Sequence, residues 1–287
     1  MQAGHDARQG SGATGQGSMD LAPVHVGRVS VDGVLVAPEA AGLPAWFVAA
    51  SQGLAWFETL RVVDGRVARV ERHSARATRT ARTLGVELPD AWTDWARELA
   101  AELPSGLHAL RASFFAAPGF APRARVVCEA RLVEAAPDPL RLALVARHDR
   151  DDDPLLEHKL HARLAWTRAR AHARALDAFD ALLLDREGRV AEATLGCVLA
   201  LVDGVVRAPR RGALAGIGRD LALEASRGMG AGIDEGPLFA VELRRAEALV
   251  LANAVRECLA VDELVHGLRF PRSRELAAAW NARLPRS

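Results

Sequence analysis

The chain has 287 residues, half of them apolar and a quarter charged, enough to bury one large core or two medium ones, and it reads as globular. Its net charge of +1, with arginines scattered among nearly as many acids, offers no basic tract for nucleic acid. The longest uncharged stretch, 40–57, is broken by Gly42, Pro44, Ser51, Gln52 and Gly53, so no membrane-spanning helix is expected. Cys128, Cys197 and Cys258 lack disulfide or zinc spacing, and a metal-free, cytoplasmic protein is expected.

Residues 1–20 are rich in Gly, Gln and Ser without the apolar core of a secretory signal, and read as a disordered extension. Four pairs of alternating apolar runs then recur around an acid-glycine dipeptide: VSV-DG-VLV, RVV-DG-RVA, LDR-EG-RVA and ALV-DG-VVR. Each predicts a β-hairpin, with Gly33, Gly65, Gly188 and Gly204 supplying the positive φ of the turn. Helical patterns fall at 73–84, 91–103, about 160–176 and 219–229, with a closing helix over 273–284. The order of elements predicts an α+β fold with mainly antiparallel sheet. The charge cluster HDRDDD followed by Pro154 marks a linker over 148–157, between a small domain at 21–147 and a larger one at 158–287.

Among 37 basic side chains only one is lysine, Lys159. An arginine cannot become a neutral nucleophilic amine, whereas a desolvated lysine can. Coding bias alone also leaves a single lysine, so its surroundings decide. Lys159 follows the linker and precedes a helix, where it can face a cleft between domains. Gly188 to Ala193 reads as a strand carrying Glu192, which taken singly is equally an outward-facing strand residue. The run Gly212 to Arg219 opens a helix, and a glycine-rich helix N-terminus suits phosphate, a weak signal by itself. Upstream, His73 and Arg76 lie one turn apart.

In this order the segments resemble the fold-type-IV (class IV) pyridoxal-phosphate-dependent aminotransferases and lyases, from about His25 to the C-terminus. The FETxR motif is matched by Phe57 to Arg61, HxxR by His73 to Arg76, the lysine by Lys159 and GxVxE by Gly188 to Glu192. The helix start is matched by Gly216 to Arg219 and the later turn by Ala252-Asn253-Ala254. The resemblance implies an N-terminal α/β sandwich and a C-terminal pseudo-barrel-like β domain with helices, working as a homodimer on a small-molecule substrate. It implies pyridoxal 5′-phosphate carried by Lys159, the catalytic residue that also moves the Cα proton. Glu192 would face the pyridine nitrogen. Arg76 and the amides of Ile217 and Gly218 would hold the phosphate, with Asn253 and Ala254 at its edge, and Thr59 and Arg61 would contact substrate.

Where the aminotransferases place a tyrosine four residues after the lysine, this chain has Arg163, and it has no tyrosine at all. Arg163 and Ala254 look like some 4-amino-4-deoxychorismate lyases. The resemblance therefore leads to conversion of 4-amino-4-deoxychorismate to 4-aminobenzoate and pyruvate, a folate-pathway reaction. A class IV aminotransferase acting on branched-chain or D-amino acids is the alternative, and a cofactor-free binding or scaffold relative a second. The Gly-Asp-Gly expected before Phe57 and a Ser-Arg-Gly substrate loop near Ala112 to Phe115 are missing. Trp46, Trp56, Phe114 and Phe115 either line a pocket or fill the core. His158 and His161 flank the lysine.

Overall fold

The computed structural model describes residues 28–36, 53–116, 123–147 and 153–285. The expected N-terminal extension, Trp46 and the first half of the expected linker, 148–152, lie outside them.

The first layer is an antiparallel six-stranded sheet in the order β2-β1-β6-β5-β3-β4. Its strands are β1 (Val29–Val31), β2 (Val34–Val36), β3 (Ala55–Val63), β4 (Arg66–Val67), β5 (Leu107–Phe115) and β6 (Arg125–Leu132). The DG hairpins form as expected: Asp32 and Gly33, and Asp64 and Gly65, all take positive φ. That pair of left-handed residues gives the turn a twist matching its strands. Helices α1 (Val70–Thr83) and α2 (Trp92–Ala101) cover one face of the sheet. Trp56, Leu60, Leu110, Phe114, Trp92 and Leu99 are fully or almost fully buried there. Trp56 stacks on Phe114 at 5.2 Å, and Trp92 meets Phe114 edge-on at 5.1 Å, so these aromatics are core rather than pocket lining.

Strand alternation turns Phe57, Thr59 and Arg61 to the opposite face of β3. Their partners on β5, Ser113, Arg111 and Ala109, share that face. It looks toward the second half of the chain.

The second half holds two sheets. One has the order β12-β11-β10-β13-β14: β10 (Cys197–Val202), β11 (Val205–Arg207), β12 (Gly232–Asp234), β13 (Ala246–Asn253) and β14 (Glu257–Val261). The other has the order β15-β7-β8-β9: β7 (Arg141–Ala146), β8 (Asp180–Leu184), β9 (Val190–Ala193) and β15 (Glu263–Leu264). Leu142, Leu182, Val198, Leu249, Leu251 and Val261 fill the space between them. α3 (Leu164–Ala175) covers the four-stranded sheet, while α4 (Ile217–Gly228) and α5 (Ser273–Asn281) cover the five-stranded one.

Three features differ from expectation. The sheets are mainly antiparallel as expected, but β7–β8 and β11–β12 are parallel, because helices α3 and α4 carry the chain back over the sheet between those strands, and β15 also joins β7 in parallel. β7, expected in the small domain, is hydrogen-bonded into the second half, so the chain enters that half before residue 148. The third helix starts at Leu164 rather than near 160. Residues 159–161 are instead tied to the start of β3: Phe57 N–H donates to the Lys159 carbonyl at 2.9 Å, and His161 N–H to the Ala55 carbonyl at 2.9 Å. Those bonds outweigh the helical preference of an Ala- and Arg-rich segment.

Candidate active site

Lys159 is held by this short ladder at the junction of the two halves, after a 3-10 turn at Pro154–Glu157 that Asp153 caps through the Leu155 amide. Its ammonium lies 4.7 Å from the centre of the Phe57 ring. Burial, then the charges of Arg163 and Arg76, bring the amine down to about 7, against opposing pulls from Glu58 and Glu192. At neutral pH a large fraction of Lys159 is therefore the uncharged nucleophile.

Two buried carboxylates flank it. Glu58 points from β3 to the α1 side, where Arg76 Nε donates to its Oε1 at 2.9 Å and Arg76 Nη2 to its Oε2 at 2.5 Å. His73 Nδ1 lies 2.7 Å from Oε2. Burial pushes the Glu58 carboxyl up, but the Arg76 charge and the hydrogen bonds from His73 and Arg76 prevail and hold it at about 2. Glu192, on β9, accepts from the Trp166 indole N–H at 2.6 Å through Oε1 and from the Leu214 amide at 3.1 Å through Oε2. Arg163 stands 3.9 Å from Oε1, its guanidinium 4.5 Å from the centre of the Trp166 ring.

At the third side α4 begins. Gly216 is its N-cap, and Asp220 N–H makes the first intrahelical bond, to the Gly216 carbonyl, at 3.1 Å. The amides of Ile217, Gly218 and Arg219 precede it and form the positive end of the helix dipole. Gly218 is required by close approach: a Cβ there would collide with the backbone of Asn253. Arg76 Nη1 donates to the Ala215 carbonyl at 3.1 Å, which places the guanidinium beside this helix start.

The residues singled out in the sequence thus fall into three groups. Lys159, Arg76, Arg163, Glu192, Ile217 and Gly218 surround one junction. Asn253 and Ala254 are adjacent to it but serve structure: the Asn253 side chain accepts from the amides of Val255 and Arg256 at 3.0 and 2.8 Å, and Ala254 packs against the α4–α5 core. Thr59 lies on the open face of β3, whereas the Arg61 guanidinium hydrogen-bonds the Val255 carbonyl and lies 3.7 Å from Glu257, bracing the 253–257 turn.

Four further residues belong to the site. Glu58 lies inside the FETLR motif, and the one-turn spacing of His73 and Arg76 was the available hint of a shared acidic partner. Trp166 gave no signal beyond helical spacing. Arg111 lies across from Thr59, its guanidinium 3.8 Å from the Phe57 ring centre and its Nε buried without a partner. His161 packs edge-on to Phe57 at 5.2 Å, and burial with the nearby Arg111 charge brings it down to about 4, so its ring is neutral. His158, by contrast, pairs with Thr80 at 2.9 Å, away from the lysine's ring contacts.

A lone near-neutral amine, a buried carboxylate and an arginine beside free helix amides define an enzyme site built for a phosphorylated carbonyl cofactor. The profile of the amino-transferase class IV family matches residues 55–264, and the chain belongs to that family of pyridoxal-phosphate enzymes. Its cofactor is accordingly pyridoxal 5′-phosphate. No curated protein matches the chain. Among solved structures it is similar to a fold IV transaminase from Curtobacterium pusillum, with a TM-score of 0.79 and 23% identity, covering 89% of this chain and 97% of that one. A hypothetical aminotransferase from Mycobacterium tuberculosis, in PLP-bound form, gives a TM-score of 0.78 at 23% identity over 89% and 98% of the two chains. The Escherichia coli branched-chain amino acid aminotransferase gives 0.79 at 19% over 90% and 94%. At these identities the likeness is one of fold. Among the described residues no helix is long and apolar enough to cross a membrane, and no cluster of His, Cys, Asp and Glu is placed to hold a metal.

Proposed function

We propose that the protein is a transaminase acting on an amino acid that carries a carboxylate besides the one on its Cα, and that it works as a homodimer. The observation that carries this reading is the near-neutral Lys159 amine beside Phe57, with the guanidiniums of Arg111 and Arg163 both turned to the same junction. Bound cofactor would supply an electron sink for charge developing at the substrate Cα.

In this reading Lys159 would hold the cofactor covalently at rest, and its freed amine would carry a proton from and to the substrate. Glu192, fixed by Trp166 and the Leu214 amide, would face the ring nitrogen and favour its protonated form. Arg76 and the Ile217 and Gly218 amides would take the phosphate. Arg111 receives a substrate carboxylate: its partner-free buried Nε and its place opposite Thr59 suit a planar anion, and the neutral His161 beside it adds no competing charge.

A lyase acting on 4-amino-4-deoxychorismate is the second reading, favoured by Arg163 and Ala254. Two guanidiniums at one mouth suit a substrate with two carboxylates equally well, and Lys159 would then remove a proton while pyruvate departs. One experiment separates the two. The cofactor-loaded protein is supplied with amino acids, glutamate among them, and with 4-amino-4-deoxychorismate. Conversion of the cofactor to its amine form with an amino acid, and release of the matching oxo acid, supports the transaminase. Release of 4-aminobenzoate and pyruvate without the amine form sinks it in favour of the lyase. Light scattering in solution tests the dimer.

A further inference from the structure

We infer that Glu58, helped by His73, is a positioning residue that aims Arg76 at the cofactor phosphate, and so sets the preference of the site for a phosphorylated ligand. The inference rests on the placement of the phosphate at Arg76 in the reading above.

A guanidinium has five N–H donors in a rigid plane. Glu58 takes one from Nε and one from Nη2, and the Ala215 carbonyl takes one from Nη1. Two remain, one on each terminal nitrogen, both constrained in direction because the other three are fixed. The anchors come from different elements: Glu58 from β3, Ala215 from the loop leading into α4, and Arg76 itself from α1. Glu58 and His73 are each 1% exposed and Arg76 is 5% exposed, so the plane cannot re-orient into solvent.

The alternation of β3 explains why a carboxylate is there. Thr59 and Phe57 face the cleft, so Glu58 faces α1, where it meets both members of the His73–Arg76 pair, one helical turn apart. His73 supplies a bond to the same Oε2 that receives Arg76 Nη2, which fixes the carboxylate that anchors the guanidinium. An arginine beside a helix N-terminus attracts any anion; one whose plane is fixed from behind discriminates by geometry.

The test titrates cofactor-free protein with pyridoxal 5′-phosphate and, separately, with pyridoxal, which lacks the phosphate, following tryptophan fluorescence. The dissociation constant for pyridoxal divided by that for pyridoxal 5′-phosphate is the ratio read out. Arg76→Gln tests the underlying reading: an unchanged ratio there means the phosphate is held elsewhere, and that reading fails. If Arg76→Gln lowers the ratio, Glu58→Gln is expected to lower it about tenfold, as loss of a charge-assisted hydrogen bond does, and His73→Gln by less. Glu58→Asp, which keeps the charge and withdraws it by one methylene, falls between and carries the test if Glu58→Gln does not fold. A wild-type ratio in folded Glu58 variants, or an equal loss of affinity for both ligands, would overturn the inference.

Discussion

Glu58 and Glu192 are both buried carboxylates within electrostatic reach of Lys159, yet they are built for opposite work. Glu58 is matched by a guanidinium across two short bonds and by an imidazole, so its charge is cancelled where it stands. Glu192 is held by two neutral donors, an indole and an amide, while its nearest cation, Arg163, stays 3.9 Å away. Neutral donors fix a carboxylate without cancelling it, which leaves Glu192 able to answer a positive charge on a ligand. The role of a buried acid is set by the donors around it.

The comparison is broken or sharpened in five ways. The largest effect is expected at the group between the two acids: Lys159→Ala lowers turnover at least about 10³-fold, the range for a positioned proton carrier, and abolishes covalent cofactor attachment by borohydride trapping and mass spectrometry. Next, Glu192→Gln is expected to lower turnover about 10²-fold while leaving the preference for phosphorylated over unphosphorylated cofactor intact. Steady-state kinetics beside the titration described above shows whether the two acids really divide the labour; a changed preference in Glu192→Gln erases the distinction.

Gly218→Ala forces a methyl into the Asn253 backbone and is expected to cost about 2 kcal/mol or more in denaturant unfolding, with weakened cofactor binding. Trp166→Phe removes one of the donors on Glu192 and is expected to reduce turnover by roughly tenfold or less, because the Leu214 amide remains.

The last effect is a slope. Lys159 sits at about 7 in the folded protein against an ordinary 10.5, so the unfolded chain binds more protons between those values. Stability of the cofactor-free protein therefore rises with pH across that window, and Lys159→Met removes the slope. Glu58, at about 2 against an ordinary 4.5, contributes stability that is present above 4.5 and lost as pH falls toward 2, and Glu58→Gln removes that. Urea unfolding at a series of pH values measures both.

Much of the site was legible in the chain. A single lysine among arginines, a carboxylate strand and a glycine-rich helix start each demand a particular residue type, and such demands leave marks in sequence. The hairpins were legible for the same reason, since Asp-Gly turns need left-handed backbone. What interaction across the fold decides was not. Arg111 and Trp166 carry no local motif, and only the β3–β5 register and the packing of α3 bring them to Lys159. Arg61 looked like a free cleft residue until the 253–257 turn arrived to accept it. The parallel pairings of β7 and β11, and the unravelled start of the third helix, also arise from partners far along the chain.

The sequence by itself determined the class of chemistry, because a nucleophilic amine and a buried acid cannot be replaced by other residue types. The tertiary structure alone decided which acid is neutralised and which is left to act, because charge inside a protein is governed by distances between residues remote in sequence.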